Sequence, residues 1–384
     1  MFKRFIPLLL LAAFSQGGSA QIVHTEITDN AADKTTEKAT VRVEQITEGH
    51  DTIWAIAFLG ADEILFTERG GGIGKVSLQS GQVSKLQATP EVLAEGQGGL
   101  LDVAVPPDYT AGDWVYFSYV KDQGGQGVTV LAQAKIAAGK LVQWRDLLVS
   151  DSASKKRIHF GSRIAFDGKG HLFFTVGDRG VRPSAQDLSN HNGSVIRLNL
   201  DGSIPKDNPF LDKSGALPGI WSYGHRNPQG IAYDAVNKRL WVIEHGPRGG
   251  DEINLVLPGR NYGWPEISYG KEYWGPVDVA DDTHRDGMEQ PHKVYIPSIA
   301  PSSLLLYQGR AFPAWRGDLF AGALRLTHIN RVSVNAAGEL VGEERLLEDF
   351  GERIRDLIEG PDGLIYFSTD SGKIFRLSPA SDQN

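Results

Sequence analysis

The stretch that decides the fold is RIAFDGKGHLFFTVGDRG, residues 163–180. A short apolar run ends at an Asp-Gly-Lys-Gly turn, a second apolar run follows, and a charged, Gly-rich exit closes the unit. Turn residues between two β-prone apolar runs predict a hairpin. The same plan recurs along the chain. AIAFLGADEILFTERGGGIGKV begins at Ala55, DVAVPPDYTAGDWVYFSYV at Asp102 and GIAYDAVNKRLWVIEHGPRGG at Gly230. LLLYQGRAFPAWRGDLFAGAL begins at Leu304 and DLIEGPDGLIYFSTDSGKIFRL at Asp356. Six copies make an internal repeat. One hairpin alone is marginal, so the copies must stack on one another. The architecture that stacks small antiparallel sheets radially is the β-propeller. The expectation is an all-β fold, a six-bladed β-propeller over 41–380 with four-stranded antiparallel blades. A β-sandwich or a pair of β domains is the alternative. The long connections near 180–225 and 260–300 are expected to gather on one face and form the active site there.

Composition narrows the function. The chain has 384 residues, 39 basic and 47 acidic side chains, and a formal charge of −8. That balance argues against a nucleic-acid partner, because phosphate neutralisation needs clustered Lys and Arg. The absence of Cys removes disulfides, thiolate metal sites and cysteine nucleophiles. No Walker loop, G-x-S-x-G elbow, H-E-x-x-H pair or strand–GxGxxG–helix unit is present. Residues 1–20, MFKRFIPLLLLAAFSQGGSA, have a basic start, an apolar run and a small-residue end. This is secretory signal anatomy, with cleavage near Ala20 and a periplasmic or secreted product. Residues 21–40 read as a loose polar leader. No further apolar run is long enough to span a membrane.

Five polar segments stand among the turns. Gln97 lies in EGQGGLLDV, and His159 precedes a blade strand. A histidine with an ordinary pKa near 6.5 can act as a general base, though a lone histidine is more often structural. Asp178 is a candidate to orient it. Arg226 and Asn227 follow in GHRNPQG. Gly246, Pro247, Asp251 and Glu252 mix turn carbonyls with carboxylates, a donor set that suits Ca²⁺; an ordinary acidic turn reads the same way. Arg353 and Arg355 alternate along a strand, so they face one side and could fork onto an anion or sit on a solvated face.

The strings LNLDGSIPKDNPF, GHRNPQG, EHGPRGGDEIN, NYGWP and RIRDLIEGPDG, in this order over about residues 45–378, resemble the soluble quinoprotein sugar dehydrogenases. The periplasmic aldose sugar dehydrogenase branch is the nearer likeness. The resemblance implies a six-bladed propeller using pyrroloquinoline quinone (PQQ) and calcium to oxidise aldose sugars at the anomeric carbon to lactones. It implies His159 as the base, Asp178 as its support and Arg226 as a stabiliser of developing charge. Cofactor contacts are implied for Gln97, Arg226, Asn227, Tyr273, Arg325, Arg353 and Arg355. Calcium ligation is implied for Gly246, Pro247, Glu252 and the Tyr262 carbonyl. The partners implied are an aldose and a small-molecule or protein electron acceptor, with a monomer expected. Three departures stand out. Arg325 occupies a position usually held by Lys, Asn192-Gly193-Ser194 lacks the Lys that commonly follows that Gly, and Ile158 precedes His159 where the glucose dehydrogenases carry a sugar-contacting acid; the last favours broad aldose use. Two competing functions are a calcium-dependent propeller lactonase or hydrolase, and a non-catalytic sugar-binding propeller.

Overall fold

The computed structural model describes residues 39–380, together with Val23–His24, Ala32–Thr35 and Thr36. The expected signal segment, residues 1–20, lies outside the described residues. The six hairpins are the first two strands of six antiparallel sheets. Blade 1 begins with Ile53–Phe58 and Glu63–Glu68, and blade 2 with Leu100–Ala104 and Val115–Asp122. Blade 3 begins with Ile164–Phe166 and His171–Val176, and blade 4 with Pro228–Asp234 and Arg239–Glu244. Blade 5 begins with Pro301–Leu306 and Leu319–Ala323, and blade 6 with Ile354–Glu359 and Ile365–Thr369. The six first strands contact one another in a closed ring, so the repeat is a six-bladed β-propeller.

Why these hairpins stack is visible in their burial. The second strand of blade 3, HLFFTV, is buried from Leu172 to Val176 rather than on alternate residues. Each blade is covered on both faces by its neighbours, so both faces must be apolar. The buried apolar side chains accordingly divide into six clusters, one in each space between blades.

The ring closes with a strand from the other end of the chain. Thr40–Thr47 pairs with Ile374–Pro379 and completes blade 6, with Val43 opposite Leu377. The segment read as a loose leader therefore needs correction in part. Ala32–Thr35 pairs with Thr40–Thr47, and Val23–His24 pairs with Gln82–Lys85 at the edge of blade 1. Polar, Thr-rich sequence gives no apolar signature, but an unpaired sheet edge accepts any extended backbone.

One arginine ties the ring at its axis. Arg163, 4% exposed, donates through Nη1 to Asp102 of blade 2 and Asp356 of blade 6, both at 2.9 Å. Its Nε donates to the carbonyls of Gln229 in blade 4 and Ser302 in blade 5. The guanidinium lies 4.1 Å from the ring centroid of Trp54 in blade 1. With its own strand in blade 3, this one side chain touches all six blades.

Candidate active site

The residues just before the first strand of each blade converge at one end of the axis. They enclose a cavity of about 360 Å³ lined by Thr52, Trp54, Gln97, Phe160, Gly161, Asn227, His245, Ala300, Arg353 and Arg355, with Arg69 and Asp370. The opposite ends of the same strands line a separate cavity of about 760 Å³, with Arg163, Asp102 and Asp356 among its walls.

His159 is not itself a wall of the smaller cavity but adjoins it through Phe160 and Gln97, which are. Its Nδ1 is 2.6 Å from Asp178 Oδ1, and its backbone N–H donates to Gln97 Oε1 at 2.7 Å. The ring keeps a little open surface, and Nε2 takes no protein partner among the described residues. Asp178 is fully buried. Its Oδ2 accepts from Trp264 Nε1 at 2.8 Å and its Oδ1 from the Gly180 amide at 2.6 Å. Burial alone would raise this carboxyl, but the His159 bond and the charges of His159 and Arg226 outweigh it and hold it below the carboxylate range. Burial pushes the His159 pKa down, and Arg226 and Arg179 add to that against the pull of Asp178. A neutral imidazole with Nδ1–H on a carboxylate and Nε2 free is a base waiting for a proton.

Arg226 begins the turn before blade 4. Its Nη1 donates to the carbonyls of His245 and Gly246 at 3.1 and 2.8 Å, and its guanidinium lies 5.2 Å from the Trp264 ring centroid. Its Nε is buried without a partner among the described residues. A buried donor left open is costly unless a ligand takes it, which fits an anionic or quinoid oxygen beside it. Asn227 Oδ1 accepts from the Gly161 amide at 3.2 Å, so it also braces the histidine loop.

Arg353 and Arg355 meet on one carboxylate. Both Nε atoms donate to Asp370 at 2.7 Å, and Arg353 Nη1 donates to the Leu324 carbonyl. Two arginines share one acid, which leaves a net positive wall that fits a polycarboxylate cofactor.

The proposed cation donors enclose a small space formed by Glu244, Gly246, Pro247, Glu252, Tyr262 and Trp264. Burial, then the charges of Glu244 and Asp251, push the Glu252 carboxyl well above its ordinary range. A Cβ at Gly246 would meet the Gly250 carbonyl oxygen, so that turn accepts only Gly. The Gly246 carbonyl accepts from Arg226 and the Pro247 carbonyl from Ser298 Oγ, each leaving one lone pair. No group of three or more His, Cys, Asp or Glu side chains forms a metal cluster among the described residues. Carbonyls would have to supply much of the shell, as calcium permits.

Three expected cofactor contacts do not line the 360 Å³ cavity: Arg226 lines the small space of the proposed cation donors, and Tyr273 and Arg325 line neither. Tyr273 is 65% exposed on a hairpin closed by Lys271–Asp278 and tied to Arg182 by the two-bond Arg182–Glu272 pair. Arg325 is exposed, in a turn whose amide bonds the Ile299 carbonyl. Sequence reasoning missed Asp370, Trp264 and His245. The register of blade 6 pairs Ile354 with Thr369, which sets Asp370 beside Arg353 and was the signal for it.

Fold and site together define a six-bladed propeller with a histidine–carboxylate pair at the edge of a cationic cavity. The chain belongs to the glucose/sorbosone dehydrogenase family, which matches residues 50–376. It is 42% identical over 349 residues to the aldose sugar dehydrogenase YliI of Escherichia coli, across 89% of this chain and 94% of that one. The apo crystal structure of the soluble aldose sugar dehydrogenase of E. coli superposes with a TM-score of 0.85 at 39% identity, covering 88% of this chain and all of the other. The PQQ-bound aldose sugar dehydrogenase of Streptomyces coelicolor superposes with a TM-score of 0.72 at 25% identity, covering 88% and 98%.

Proposed function

We propose that this chain is a PQQ- and calcium-dependent aldose sugar dehydrogenase that oxidises the anomeric carbon to a lactone. The observation that carries the reading is the His159–Asp178 pair at 2.6 Å, beside a cavity whose wall is cationic. The names of the E. coli and Streptomyces relatives support the substrate class, and the PQQ-bound state of the latter supports the cofactor.

Each residue has a task. Asp178 holds Nδ1–H of His159, which leaves Nε2 to take the proton of the anomeric hydroxyl. Trp264 and the Gly180 amide fix the carboxylate in turn. Arg226 offers its unpaired Nε where negative charge grows. Arg353 and Arg355 would bind carboxylates of the cofactor, with Asp370 setting their forks. Gly246, Pro247, Glu252 and the Tyr262 carbonyl would hold calcium. When bound, PQQ supplies the two-electron acceptor for the anomeric hydride and calcium supplies a neighbouring positive charge.

The test is reconstitution of the purified chain with PQQ and Ca²⁺, then dye reduction with a panel of aldoses and lactone detection. Sugar-dependent reduction that requires both additions is expected. Lactone hydrolysis without quinone would move the reading to the hydrolase class. We also place the protein outside the cytoplasm, from the signal anatomy of residues 1–20. N-terminal sequencing of the periplasmic fraction should start near Gln21.

A further inference from the structure

The turn after blade 3's second strand holds two consecutive residues that grip the same histidine in different ways. Asp178 takes the ring. Arg179, wholly buried, takes the backbone. Its Nε donates to the Ile158 carbonyl at 3.1 Å, and its Nη2 to the Lys156 carbonyl at 3.0 Å. Nη1 donates to the carbonyls of Gly127 at 2.6 Å and Ser152 at 2.8 Å. The guanidinium lies 3.7 Å from the ring centroid of Phe160. No carboxylate forms an ion pair with it among the described residues.

The Ile158 bond is the informative one. The peptide between Ile158 and His159 is held at both ends, its carbonyl by Arg179 and its N–H by Gln97 at 2.7 Å. His159 needs this, because its φ is +55°. A β-carbon residue in that region persists only where its surroundings over-determine it. Ser162, three residues on, has φ of +92°. A buried cation spent on four carbonyls is costly where an apolar side chain would pack. The planar fork of arginine reaches carbonyls on several sides at once, which an ammonium cannot do.

We propose that Arg179 is a positioning residue for His159: it clamps residues 152–160 so that the imidazole meets Asp178 and presents Nε2 toward the cavity. This deepens the dehydrogenase reading by naming what holds the base, and it rests on that reading for its effect on turnover. Burial, with help from Arg157, pulls the Arg179 pKa down to about 9, so the side chain stays charged at neutral pH. The groups facing His159 are Asp178, Arg226, Arg179 and His245. Removing the Arg179 charge should therefore raise the His159 pKa, whereas keeping a charge without the fork should loosen the loop with less change in titration.

The experiment uses the full chain as Arg179→Lys and Arg179→Met, each measured before and after loading with PQQ and Ca²⁺. Hydrogen exchange is followed at residues 152–160, with blade 5 as the internal control for folding. His159 is titrated by NMR in the unloaded protein. Both variants should exchange at least tenfold faster at 152–160 with blade 5 unchanged, and Arg179→Met should shift the His159 pKa upward more than Arg179→Lys. In the loaded enzyme both should lose kcat while KM for the sugar stays within a few-fold. Wild-type protection and wild-type kcat in Arg179→Lys would overturn the clamp. Faster exchange in blade 5 as well would overturn it too, by showing a general structural role. If the wild type oxidises no sugar, the exchange and titration arms still decide the clamp, while the dehydrogenase reading fails separately.

Discussion

His159 joins three roles that no single stretch of sequence advertises. It sits at positive φ, gives Nδ1 to a buried acid and keeps Nε2 free. His159→Ala should leave PQQ binding intact, because the arginines and Asn227 remain, and lower turnover by about 10²–10⁴-fold. Quinone absorbance of the loaded variant and its kcat check the two halves. The pH dependence follows from the lowered pKa. A base with a depressed pKa stays deprotonated further into acid, so the acid limb of kcat/KM should fall below pH 6.5. A limb above 6.5 would contradict the assignment. Arg353→Ala should weaken PQQ binding and change kcat at saturating PQQ much less, since Arg355 keeps Asp370. At this scale the types of the polar residues were legible in sequence, but their contacts were not. Asp178 lies 19 residues from His159, and only the fold brings them to 2.6 Å. Trp264 was invisible for another reason: an indole in NYGWP looks like core until its N–H is seen on Asp178.

The hairpins were the most legible elements, because each carries its own turn chemistry and apolar runs. The closing strand was not. Thr40–Thr47 is mixed in polarity, and its partner Ile374–Pro379 lies more than 300 residues away. Loop-closure pairing of that separation leaves no local pattern to read. Yet the strand buries Val41, Val43 and Ile46, the first two in the space between blades 5 and 6 and the last between blades 6 and 1. Three such side chains are worth on the order of 5 kcal/mol. A chain starting at residue 48 should therefore lose stability by about that amount and expose the Ile374–Pro379 edge to association. Urea unfolding and light scattering measure both effects. A soluble monomer with unchanged midpoint would show that the ring does not depend on this closure. The placement of Tyr273 away from the cavity walls belongs to the element scale too. Its ion pairs with Asp278 and between Arg182 and Glu272 fix where it stands, and sequence matching to a cofactor contact carries no information about such latches.

At the scale of the whole molecule, the net charge of −8 hides a cationic cavity wall and, at the axis, a buried arginine held between two acids. Arg163 opens the motif that reveals the fold, but a strand-start arginine gives no hint that six blades will meet on it. Its removal makes the sharpest stability prediction. Asp102 and Asp356 are buried and share its Nη1. Burial, and then repulsion from Asp356 set against the pull of Arg163, leave Asp102 raised to about 7. A carboxyl raised above its unfolded value near 3.8 keeps its proton longer in the folded state. The unfolded chain then ionises first, and folding stability declines as pH rises from about 4 to 7. Arg163→Met deletes the side chain that pulls both acids most strongly toward ionisation among the described residues, so both rise further and the decline extends above pH 7. Breaking a buried pair from one side costs about 3–5 kcal/mol. The deficit should be largest near pH 8 and shrink toward pH 5, where both acids can be neutral. Arg163→Lys keeps the charge but cannot span Gln229, Ser302 and both aspartates, so it should recover the pH dependence without recovering the full stability. Urea midpoints of the three proteins at pH 5 and pH 8 decide the matter. A deficit independent of pH would mean that Arg163 acts through its carbonyl bonds and packing on Trp54, and that the two acids at the axis are already satisfied without it.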